Sequence, residues 1–172
     1  MVFSVMIYGM ETIFRFFSAL GNEAALFIIS MIPLIEERGA IVYGAAIGMP
    51  WYKVLPICIA ANMLPVPFVL AFGMKLIGLL KKSRILGGFF TGYEEKLKKK
   101  SEAVDKYSFM ALVLLVGLPI PGTGAWSGSL VATILQVEKK RAIPALFVGV
   151  VMCGIIVTLA AYGVVSAFRL FL

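Results

Sequence analysis

Polar positions along this chain fall into a few short clusters separated by long apolar runs. The runs extend from Ala24 to Ile35, Val54 to Leu80, Phe109 to Ile120 and Ala142 to Phe168. The second and fourth reach the roughly 20 residues that a membrane-spanning helix needs, whereas the first and third are too short to cross alone. Helix-breaking residues stand where the short runs end, in "IPLIEERGAIVYG" from Ile32 to Gly44 and "LPIPGTGAWSG" from Leu118 to Gly128. Proline removes a backbone donor, and exposed backbone at membrane depth is tolerated only inside protein or along a wet cavity. The pattern therefore predicts two re-entrant hairpins of half-helices, over residues 23–50 and 108–137. Their tips fall at Pro33 and Gly39, and at Pro119, Pro121 and Gly122.

The plan repeats. Each hairpin precedes one long span, residues 54–80 and 142–168. Gly39-Ala40 recurs as Gly124-Ala125, Pro56 as Pro144, and Ala71 to Gly73 as Ala161 to Gly163, at offsets of 85, 88 and 90 residues. A hairpin makes no net crossing and a span makes one, so the second unit lies inverted relative to the first. The predicted fold is one all-α integral membrane domain over 1–172. It contains two inverted repeats, 1–80 and 108–172, each a re-entrant helical hairpin plus a transmembrane helix. Inverted repeats with broken helices meeting at mid-membrane are the plan of many secondary transporters. Lys81 to Tyr107 reads as an interfacial amphipathic helix, with Leu86, Phe90, Tyr93, Leu97 and Val104 on one stripe. Met1 to Leu20, with Glu11 and Arg15 one turn apart, is long enough either to lie on the membrane or to cross it.

Composition agrees with a membrane location: 61% of residues are hydrophobic and 15% charged, against roughly 45–50% apolar usage in soluble domains. The net charge of +7 is concentrated. Eight of the 16 Lys and Arg lie between Lys81 and Lys106, and three more are Lys139, Lys140 and Arg141. Such clusters report cytoplasmic loops rather than nucleic-acid binding. The first residues carry no basic leader and no small-residue cleavage pattern, so no removable signal peptide is expected. Cys58 and Cys153 fall inside apolar segments and read as free thiols, and neither a metal site nor a cofactor is expected. The chain has no histidine, which removes Ser-His dyads and histidine metal sites and argues against an enzyme.

The candidate chemistry is Glu36-Glu37-Arg38, three adjacent charges inside the first hairpin. At the bilayer centre each costs roughly 2.5–3.5 kcal/mol on insertion scales. Successive helical side chains point about 100° apart, so a regular helix could not shelter all three on one face. Pro33 and Gly39 supply the break that lets them converge on a polar pocket. There one glutamate would neutralise or orient Arg38 and the other would take a proton. Asn62, just before Pro65 and Pro67, and Thr123, Gly124, Trp126 and Ser127 of the second hairpin are the further candidates for substrate binding.

Together, "IPLIEERGAI" and "PIPGTGAWSG" resemble the small multidrug export protein family, over nearly the whole chain from about Leu26 to Gly163. That family is distantly similar to the DedA and VTT membrane proteins. The resemblance implies two facing hairpins and movement of lipids such as polyprenyl phosphate carriers. It also implies an acidic residue in the first hairpin, matched by Glu36 or Glu37, and a Pro-Gly pair in the second, matched by Pro121 and Gly122. The arginines of the DedA pattern are not matched, since Gly124 stands near the expected position and no basic residue occurs between Lys106 and Lys139. Arg38 is then the candidate to supply the charge.

The function expected from these readings is a transporter of an anionic lipid such as polyprenyl phosphate, coupled to protons, with its site between the hairpin tips. The alternatives are an exporter of small lipophilic cationic drugs and a non-transporting membrane scaffold. Membrane lipids and a second copy of the chain, forming a homodimer, are the expected partners, in a prokaryotic cytoplasmic (inner) membrane that the chain crosses several times.

Overall fold

The computed structural model describes residues 21–33, 35–81, 101–120 and 122–171. They form helices α1 (Asn22–Met31), α2 (Glu36–Ala46), α3 (Trp51–Met63), α4 (Val66–Lys81), α5 (Ser101–Gly117), α6 (Ala125–Ile134) and α7 (Lys139–Phe171). No strand occurs among the described residues. The expectations for Met1 to Leu20, for residues 82–100 of the basic segment and for Pro121 lie outside them.

Local chemistry sets the helix ends. Ile32 closes α1 in an extended conformation, φ −72° and ψ 122°, because Pro33 disfavours helical backbone in the residue before it. α2 and α6 end alike. Gly48 and Gln136 adopt left-handed φ of 76° and 54°. Beyond them Met49 N–H bonds to Gly44 O and Val137 N–H to Ala132 O, the six-to-one bond of a Schellman cap. Gly48 and Gln136 stand 88 residues apart, the same offset as Pro56 and Pro144 inside α3 and α7. The chain turns at residues 64–65 between α3 and α4, where Pro65 withdraws a donor and its carbonyl then accepts from Val69 N–H.

Two apolar cores result. In one, Leu26, Ile29, Ala40, Ile41, Val54 and Cys58 join α1, α2 and α3, with Val157 and Ala161 of α7 packed against them. In the other, Val66, Leu70, Leu112, Val116, Ala132 and Leu146 join α4, α5, α6 and α7. The second helix of each short pair crosses to the other half of the chain: α2 packs on α7, and α6 on α4. Two stretches are long and apolar enough to cross a membrane, Trp51–Gly73 and Lys139–Ala167. Phe68, Phe72, Leu159 and Val164 are exposed on their outer faces, and Trp51 and Tyr52 are exposed at the start of α3. Large exposed apolar side chains suit lipid contact, and aromatic rings at a helix end suit the membrane interface.

One boundary differs from the sequence reading. α5 begins at Ser101, seven residues before the predicted hairpin start at 108. Apolarity begins only near Phe109, whereas "SEAVDKY" from Ser101 to Tyr107 consists mainly of residues that tolerate a helix without being buried. The helix therefore extends beyond its apolar part.

Candidate functional site

The start of α2 meets the link between α5 and α6, and their polar groups satisfy one another. Arg38, in the first turn of α2, directs its guanidinium onto the broken end of the other helix pair. Its Nη2 lies 3.2 Å from Val116 O, 3.1 Å from Leu118 O, and 3.1 and 3.3 Å from the carbonyl and hydroxyl oxygens of Thr123. Nη1 donates to Ile120 O, and Nε to the Cys153 sulfur at 3.1 Å. The last carbonyls of a helix have no partner within it, and cations are favoured near them. Arg38 thus caps the C-terminal end of α5 and the link that follows. Thr123 tightens that link, its hydroxyl donating to Ile120 O at 2.8 Å.

Glu36 performs the complementary task. Its carboxylate accepts the backbone N–H of Trp126, in the first turn of α6. The N-cap position, Gly124, has no side chain with which to cap, so an acid from the other half of the chain takes that role at the positive end of the helix. The approach requires glycine, since a Cβ on Gly124 would stand 1.3 Å from Glu36 Oε2. Glu36 itself holds a left-handed φ of 52°, a conformation that costs a side-chain-bearing residue about 1–2 kcal/mol. In return, Trp126 Nε1 donates to Met31 O at 3.1 Å, capping α1. Each pair of half-length helices therefore caps the other.

Glu37 caps no helix; the Cys153 side chain of α7 lies beside its carboxylate. Glu37 is 2% exposed and its Oε2 makes no hydrogen bond. Asn62 of α3, 1% exposed, lies beside it, yet neither its amide oxygen nor its nitrogen is in hydrogen-bonding geometry. On α7, Gly154 allows close packing here: a Cβ would stand 2.8 Å from Leu55 Cδ1 and 3.7 Å from Glu37 Oε2. Among the described residues, neither carboxylate forms an ion pair with Arg38. The sequence-based pairing of one glutamate with Arg38 is replaced by caps across the molecule, because neighbouring positions on a helix point in different directions.

The other candidates sort by position. Thr123, Gly124 and Trp126 lie at the contact between the tips. Ser127 bonds back to Gly124 O at 3.1 Å within α6. Pro33 precedes the turn into α2, whereas Gly39, expected to break the helix, lies inside α2 with its N–H on Ile35 O; Pro119 and Gly122 lie in the link before α6, where Gly122 has a φ of 83°. Ser30, Cys58 and Cys153, which the sequence left without a role, also border the polar interior. Their only sequence signal was a small polar atom in an apolar run. An open cleft of about 690 Å³ lies at the opposite end of α1 and α2, lined in part by Glu23 and Lys53, away from these charges.

An all-helical protein with two membrane-length helices, apolar outer faces and charges buried where broken helices meet is an integral membrane protein. The model of the family described as "putative small multi-drug export protein" matches residues 36–156, and the chain belongs to that family. Comparison with curated proteins and with solved structures gives no match.

Proposed function

We propose that the protein is a small-molecule exporter of the cytoplasmic membrane, with its site where the two hairpin tips meet. The exchange of α2 and α6 between the halves and the matching Schellman caps support two inverted repeats with re-entrant hairpins. Such a unit has few spans with which to seal a pathway, so the working form is a homodimer. The protein acts as a carrier, without catalytic chemistry or a cofactor.

The observation that carries the cargo assignment is the buried Glu37 Oε2, which makes no hydrogen bond. Glu36, Glu37 and Arg38 sum to one negative charge, and the donors of Arg38 are already engaged by carbonyls and sulfur. A lipophilic cation would supply the missing charge when the tips part, which agrees with the family's description as multidrug exporters. Arg38 then acts as a structural cap rather than as a competitor of the cargo.

A second reading keeps the anionic lipid, such as polyprenyl phosphate, in line with the distant DedA resemblance. The observation that favours it is the α6 N-terminal end, where a phosphate could replace the Glu36 carboxylate. Proteoliposomes decide between the two. Accumulation of a fluorescent lipophilic cation that Glu37→Gln abolishes supports the first reading. Translocation of a labelled polyprenyl phosphate without cation transport supports the second. Neither activity in folded protein leaves a scaffold.

A further inference from the structure

Glu37 and Asn62 form a pair that no neighbouring group completes. α1, α2, α3 and α7 surround them. The titratable and charged groups facing Glu37 are Glu36 and Arg38 on α2 itself, Cys58 on α3 and Cys153 on α7. α1 contributes only the Ser30 hydroxyl near Cys58, and that oxygen is itself without a partner. Glu36 is committed to the α6 cap and Arg38 to the carbonyls of the opposite link. Of the three adjacent charges, only Glu37 keeps a free, fully buried acceptor.

We infer that Glu37 is a proton-binding site and that Asn62 is its positioning residue, able to serve both protonation states by rotating its amide. When Glu37 is a carboxylate, Asn62 Nδ2–H donates to Oε2. When Oε2 takes a proton, the new O–H donates to Asn62 Oδ1, and no other bond changes. A primary amide carries donor and acceptor at one end of a short side chain. Both amide atoms of Asn62 are unengaged, so neither orientation breaks an existing bond. Gly154 contributes by letting α7 pack closely beside Glu37 and Leu55. This deepens the export reading and rests on it for its use: a proton and a cationic cargo would compete for one carboxylate, which couples their movements in opposite directions. Glu36 is set apart by its engagement with the Trp126 N–H at the head of α6, a bond that a neutral acid would hold less strongly.

Infrared spectroscopy tests this on the full-length protein in nanodiscs without any cargo. Spectra are recorded across a pH series for wild type, Glu37→Gln, Glu36→Gln and Asn62→Leu. The expected result is a carboxylic-acid C=O band that titrates in wild type, disappears in Glu37→Gln and persists in Glu36→Gln. In Asn62→Leu it moves to higher wavenumber, as an acid deprived of its hydrogen bond does. Glu37→Gln preserves the shape of the protonated acid and is expected to fold; should it fail, the shift in Asn62→Leu carries the test alone. A band that survives Glu37→Gln, one lost in Glu36→Gln instead, or one unmoved by Asn62→Leu overturns the inference. Because no cargo is present, failure of transport in proteoliposomes with this band intact would refute the export reading and leave the proton site standing.

Discussion

The carboxylate of Glu36 lies where a side chain on Gly124 would begin, 1.3 Å from that position, and accepts the Trp126 N–H at the head of α6. Two residues 88 positions apart thus define the contact between the tips. Gly124→Ala is expected to push Glu36 away and to lower stability by about 1–3 kcal/mol, as overpacking does. The check is a thermal unfolding midpoint in detergent. Combining the change with Glu36→Ala should cost less than the sum of the two, since both remove one cap.

Arg38 reaches four backbone carbonyls of the α5–α6 region. Lysine keeps the charge but lacks the planar fork. Arg38→Lys should therefore lower the midpoint in part and Arg38→Met further, by about 1–2 kcal/mol, because part-buried carbonyls lose their donors. Equal midpoints for the two variants would mean that only the charge matters.

Trp126→Phe retains an aromatic ring and removes only the donor to Met31 O. The expected loss is about 1 kcal/mol, the net worth of one hydrogen bond. Hydrogen exchange at the end of α1 should rise in this variant, while that of α4 stays as in wild type.

Gln136 holds a φ of 54° at the end of α6. Glycine has no side chain to clash there, so Gln136→Gly should stabilise the protein by up to about 1 kcal/mol. Gly48→Ala, at the corresponding position after α2, should destabilise it by a similar amount. Opposite shifts in the two midpoints would establish that the two turns are conformationally equivalent.

The breaks in the helices could be read from the sequence because proline acts locally. Pro33 ends α1, Pro65 separates α3 from α4, and each is visible one residue at a time. The charges were visible as an anomaly, but their partners were not. Glu36 and Arg38 are neighbours in the chain, which suggested a shared pocket. Their partners lie 78 or more positions away, mostly on backbone atoms that have no sequence signature. Trp126 drew attention for its indole N–H, which the structure directs at Met31 O. Gly124 stood out as a repeat anchor, as a site candidate and as the place where an arginine was expected. Its reason is steric, and steric reasons depend on what approaches from elsewhere in the fold. α5 runs through the boundary at residues 107 and 108 that the sequence reading drew between an interfacial helix and a hairpin, since apolarity marks where a helix is buried rather than where it begins.

The reciprocal caps bear on how this chain is made. Ribosomes deliver it from one end, so α1 and α2 enter the bilayer well before α5 and α6 have been synthesised. During that interval Glu36 and Arg38 have no carbonyls or amides to engage, and Met31 O awaits an indole still to come. The nascent first half must either linger at the aqueous edge of the insertion machinery or be held by it until Trp126 emerges. Completion of the second half is then the event that lets the first settle into lipid. A chain truncated after α4 would be a substrate for quality-control proteolysis rather than a stable half-protein.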